Sequence, residues 1–151
     1  MKHKSVRIAL IVIELFVGLW AVIGGIGLVT GVIPFLQMPA EYLQGTPFSD
    51  YLIPGLLLSI VVGGSFLFAA ATIIAGHELG VLASALAGLI LIGFEFVEVL
   101  IIDRFAIVLP NAVPQQVIMT LLGLACFVLA AYLWITEYRT QDVSTRHVGH
   151  G

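Results

Sequence analysis

Polar residues punctuate the chain sparsely and leave four long apolar stretches, at about 8–30, 52–75, 79–102 and 116–135. Each has about the 20 residues that a helix rising about 1.5 Å per residue needs to cross a hydrocarbon core. In the segment 31–51, Pro34, Pro39 and Pro47 interrupt any long helix, and Gly45-Thr46-Pro47 reads as a turn. Ser49 or Asp50 can cap the helix that follows, with Pro54 tolerated in its first turn. Gly76-His77-Glu78 is a minimal turn, and 103–115, with Pro110 and Pro114, forms the last connection. The pattern predicts an all-α fold, an integral membrane four-helix bundle of up-down-up-down topology over 1–136. Residues 137–151 are polar, lack periodicity and are expected to form a flexible tail.

Within the stretches, small residues recur at helical spacing. Glu14, Gly18, Ala21 and Gly25 fall within roughly 60° of one another at about 100° per residue. Gly55, Ser59 and Gly63 repeat at i, i+4, i+8, as do Gly80, Ser84 and Gly88, and Glu95 and Glu98 continue that last stripe. Such stripes mark helix contacts in membranes, because small side chains let backbones approach closely. The glutamates on them should therefore face protein.

Composition agrees with this layout: 60% of the 151 residues are hydrophobic and 10% are charged. The mean hydropathy of +1.14 excludes an ordinary soluble domain. The lipid bilayer is the expected partner, joined by another membrane protein or a second copy at a small-residue face. A net charge of -3 gives no basis for a nucleic-acid partner. The run from Ile8 to Thr30 exceeds a signal-peptide core and reads as a retained span. Lys2, Lys4 and Arg7 precede the first span, Arg139 and Arg146 follow the fourth, and Arg104 alone lies on the other side. This bias puts both termini in the cytoplasm and makes the chain a multi-pass protein of the cell membrane. Tyr132, Trp134 and Tyr138 suit one interface; Phe35, Tyr42, Phe48 and Tyr51, mixed with Glu41 and Asp50, suit the other.

Candidate chemistry centres on Gly93-Phe94-Glu95-Phe96-Val97-Glu98-Val99-Leu100. Counted inward from the outer boundary, Glu98 lies about 6 Å deep and Glu95 about 10 Å deep. Gln116 and Thr120 occupy the boundary and about 6 Å, and Ser59 about 10 Å. The five residues Glu95, Glu98, Ser59, Gln116 and Thr120 are thus the candidate ion or ligand pocket, with Tyr51, Asp50, Asp103 and Arg104 just above. Ionised carboxylates at depth are costly, so the pair is either protonated or balanced by a cation or by Arg104. The first case suits a proton relay or hydrogen bonding between helices, and the second a metal or organic cation.

Glu14 is a secondary candidate carboxylate. It enters from the opposite end, about 9 Å deep, and is not expected beside Glu95. His77, Glu78 and the His147-x-x-His150 pair read as solvated turn and tail, and Cys126 as a buried thiol that rules out an internal disulfide. The G-x-S-x-G, H-E-x-x-H and Walker A patterns are missing from the sequence, so no cofactor is expected and the reading leans away from an enzyme.

The run Leu43 to Gly55, containing Gly45-Thr46-Pro47-Phe48-Ser49-Asp50-Tyr51-Leu52-Ile53-Pro54-Gly55, resembles the loop of a group of small four-span bacterial membrane proteins. Gly63-Gly64 and the acidic third span are similar as well. The resemblance implies the fold and a bacterial membrane, and no activity. Glu14 in a first span is also similar to the glutamate of the small multidrug transporters. The long first loop and the two glutamates of the third span depart from that family, and no functional residue carries over. Together these readings favour a non-enzymatic accessory or interaction bundle with an acidic outer-leaflet pocket. The alternative is a small proton- or cation-coupled transporter using Glu95 and Glu98.

Overall fold

The computed structural model describes residues 3–34, 39–102 and 112–139. Four helices are long and apolar enough to cross a membrane. Helix α1 is Lys4–Thr30, α2 is Leu52–Ile74, α3 is Leu79–Ile102, and α4 is Ala112–Leu133, continued by Trp134–Tyr138. No strand occurs among the described residues.

Local chemistry sets the boundaries. Gly31, with φ 63°, ends α1 in a left-handed turn that returns its N–H to the Gly27 carbonyl. The Asp50 carboxylate accepts the Leu52 N–H at 3.0 Å, and Pro54 follows in the first turn of α2. Two stretches, Leu57–Gly63 in α2 and Trp134–Tyr138 in α4, are wound in the wider i→i+5 pattern.

Three ends differ from expectation. Helix α1 begins at Lys4, ahead of 8; α4 begins at Ala112, ahead of 116, and continues past 135 to Tyr138. Glu137 and Tyr138 therefore belong to the helix rather than to a flexible tail. The cause is an ion pair: the Arg7 guanidinium donates to the Glu137 carboxylate and, at 3.2 Å, to the Tyr138 hydroxyl. Each charge makes the other tolerable, so both helices extend by most of a turn. Phe35, Asp103, Arg104, Pro110, Arg146, His147 and His150 lie outside the described residues.

The core follows 3,4-spaced positions. Buried residues are Leu10, Glu14, Val17 and Ala21 on α1; Val62, Phe66, Ala69 and Ile73 on α2; Val81, Ser84, Ala87 and Leu91 on α3; and Met119, Cys126, Ala130 and Leu133 on α4. The opposite faces expose Phe16, Phe68, Phe96 and Leu121. A bundle with aliphatic and aromatic side chains on its outside is compatible with a lipid solvent.

Glycines set the closest approaches. A Cβ at Gly25 would lie 2.0 Å from Ser59 Oγ and 2.4 Å from the Gly55 carbonyl, so α1 and α2 touch backbone to backbone. A Cβ at Gly88 would meet the Gly123 carbonyl at 2.7 Å, joining α3 to α4 in the same way. The bundle is thus two tight pairs, α1–α2 and α3–α4. Between the pairs, α2 packs closely on α3 through Gly64–Ile74 and only sparsely through Leu57–Gly63. At the end that carries both termini, α1 meets α4 through Arg7–Glu137 and through His3 Nδ1 and the Tyr132 hydroxyl, 3.4 Å apart. The pairs are closed at the termini end and spread toward the loop end.

Candidate functional site

The spread opens a cavity of about 440 Å³. Val17 of α1, Val62 of α2, Leu91 of α3 and Met119 of α4 form its floor; Trp20, Gly24, Leu57 and Phe94 stand in its walls. Tyr42, Leu43, Phe48 and Tyr51, from the segment before α2, cover it. That segment is a folded cap. Its Ala40–Leu43 turn is followed by Gly45 at φ 83°, where a side chain would be strained. Thr46 Oγ1 donates to the Leu43 carbonyl at 2.7 Å, and the Tyr51 hydroxyl donates to the Pro39 carbonyl at 2.9 Å. Burial, and then the nearby Tyr42, push the Tyr51 phenol above its ordinary value, which keeps it a protonated donor.

Both glutamates of α3 line this cavity. Glu95 is only 7% exposed and makes no hydrogen bond to any described residue. Glu98, one turn closer to the loop end, accepts a long hydrogen bond of 3.4 Å from Gln116 Nε2. Glu95 and Glu98 share the cavity wall with Gln115, and Gln116 reaches Glu98 alone. Ser59, Gln116 and Thr120 are not among its lining residues. Ser59 Oγ donates to the Gly55 carbonyl at 2.7 Å and sits against Gly25, in the α1–α2 seam. Sequence depth alone cannot assign a helix face, and for Ser59 the small-residue contact decides it.

Glu14 lies below the floor and is fully buried. Its Oε1 is 4.0 Å from Cys126 Sγ, which itself donates to the Ser84 carbonyl at 3.3 Å. Its Oε2 has no hydrogen-bond partner among the described residues. Ser84 Oγ, beside Glu14, spends its proton on the Gly80 carbonyl at 2.8 Å. Ser84 and Glu95 share α3 and differ in height by about 16 Å at about 1.5 Å per residue. The apolar floor lies between them, so Glu14 and Glu95 are separate sites.

Three features were not legible in the sequence. The Arg7–Glu137 pair joins opposite ends of the chain, and only the equal depth of the two residues at the termini end hinted at it. Cys126 reads as inert on its own and becomes a neighbour of Glu14 only in three dimensions. Tyr42, Phe48 and Tyr51 suit a headgroup layer by composition, and the structure folds them over a cavity.

A cavity of this size is typical of small-molecule sites. Among the described lining residues there is no Ser, Thr, Cys, His, Lys or Arg, so the carboxylates have no nucleophile beside them. Among the described residues no group of three His, Cys, Asp or Glu is placed to hold a metal ion. Comparison with protein-family models, with curated proteins and with solved structures finds no match.

Proposed function

We propose that this chain is a multi-pass membrane protein that works as a non-enzymatic accessory bundle, binding a ligand in the capped acidic cavity. One observation carries the reading: Glu95 is buried on the cavity wall without a hydrogen bond from any described residue. A buried polar group left without a partner costs roughly 1–3 kcal/mol, which a ligand placed against it would relieve. The bias of basic residues puts the termini in the cytoplasm and the cap outside. The loop resemblance, likewise part of this proposal, puts the chain among small bacterial membrane proteins.

The test is native mass spectrometry of the protein extracted directly into lipid nanodiscs. A small molecule should travel with the wild type and be lost from Gly24→Leu. Gly24 lines the cavity, and a Cβ there would meet only Leu58, itself a lining residue, at 3.5 Å, so the longer side chain is directed along the cavity wall. An empty wild type, or a load unchanged in the variant, would sink the reading.

A second reading, proton- or cation-coupled transport through Glu95 and Glu98, is favoured by the second buried carboxylate at Glu14 and by closure of the bundle at one end only. Liposome flux that disappears in Glu95→Gln and Glu98→Gln would replace the first reading with this one.

A further inference from the structure

Resting on the binding role proposed above, we propose that the cavity takes an ammonium group, primary to quaternary, carried on an apolar body. The argument starts from what the cavity offers. Two carboxyl groups share one wall, and Glu95, 93% buried by its 7% exposure, points its binding capacity at the cavity and at no described protein group. Trp20, Phe94, Tyr42, Phe48 and Tyr51 contribute aromatic rings to the same space. Aromatic faces around a carboxylate form the surroundings that hold organic cations, through cation–π attraction. The remaining surface is aliphatic and accommodates the apolar body.

Other ligand classes fit less well. An anion would meet Glu95 and Glu98 with no Lys or Arg among the described lining residues to balance them. A bare Mg²⁺ or Ca²⁺ requires about six to eight oxygen ligands at short range. The described walls offer the two carboxyls, Gln115 and two phenols, one of which already donates to Pro39, spread over a cavity of about 440 Å³. An uncharged hydrocarbon would fill the space and leave Glu95 without a partner. An ammonium group satisfies the carboxylate and the rings together. It can come from a lipid headgroup, such as ethanolamine or choline, or from a free amine.

The experiment uses the full chain in phosphatidylglycerol nanodiscs, which contain no amine lipid. Benzyltrimethylammonium is titrated against neopentylbenzene, in which carbon replaces the ammonium nitrogen at the same shape. Quenching of Trp20 reports occupancy, with empty nanodiscs subtracted and Trp20→Phe confirming the origin of the signal. The expected result is binding of the ammonium at least about tenfold tighter than its carbon analogue, a preference lost in Glu95→Gln and all binding lost in Gly24→Leu. Thermal unfolding followed at Cys126 establishes that both variants fold. Competition on adding phosphatidylethanolamine to the nanodiscs assigns the ammonium to a lipid headgroup, and its absence assigns it to a free amine; both support the proposal. Equal binding of the two probes overturns the ammonium proposal and leaves the binding pocket standing. No binding of either overturns both.

Discussion

The two ends of the bundle are made of the same helices and do opposite things. At the termini end, Gly80 lies against Ile73, Ala87 and Cys126 are wholly buried, and Arg7 locks α1 to Glu137 of α4. At the loop end, the α2 turns from Leu57 to Gly63 leave α3, and the space between the pairs is covered by a folded segment instead of being filled by helices. Tight packing inside each pair is retained throughout. The difference teaches that close packing holds the pairs, whereas contacts between pairs decide where the molecule is hollow.

The most disruptive way to break this contrast is Gly25→Leu. A side chain there collides with the backbone of α2, and overpacking of this kind should cost about 3 kcal/mol. Thermal unfolding read by a maleimide fluorophore reports it, because Cys126 is the one thiol in the chain and is fully buried. An unchanged melting curve would mean that α1 and α2 are not the rigid pair described above.

Glu14→Met tests the closed end with the opposite sign. Removing a buried oxygen that has no hydrogen-bond partner among the described residues, while keeping the volume, should stabilise the bundle by about 1–2 kcal/mol. A loss of stability would assign Glu14 an interaction that its surroundings do not display.

The ion pair that closes the α1–α4 seam is expected to contribute less. Arg7 and Glu137 are 12% and 14% exposed, between the surface and the interior cases. A double-mutant cycle with Arg7→Met and Glu137→Gln should give a coupling of about 1 kcal/mol. Additive effects would show that the seam is held by packing alone.

The smallest effect on folding should come from Gly24→Leu at the open end. With only Leu58 Cδ2, itself on the cavity wall, at 3.5 Å from an added Cβ, the change should alter stability by less than about 1 kcal/mol while occupying the cavity. A large destabilisation would mean that the cavity is less open than the geometry indicates. Set beside Gly25→Leu, it compares one substitution at two glycines, one in a closed seam and one in an open space.

The layout of the fold was legible because membrane helices advertise themselves in runs of apolar residues, and the small-residue stripes located real contacts at Gly18, Gly25, Gly63, Gly80 and Gly88. The site was legible only in part. Glu95 and Glu98 line one cavity and Gln116 reaches Glu98, contacts that depth countable along a helix can anticipate. Ser59 had the right depth and the wrong azimuth, which one helix cannot reveal without its neighbours. The cap and the Arg7–Glu137 pair depend on contacts across long sequence separations, and no local pattern records those.

That ion pair also has a meaning in time. It joins side chains separated by 130 positions, one on the first helix and one on the fourth. Hairpins α1–α2 and α3–α4 can each form from neighbouring sequence as they emerge, but the seam between first and last helix has to wait for the final turn to be synthesised. Closure of the α1–α4 seam therefore follows both hairpins, and a chain stopped short of Glu137 is left without that contact.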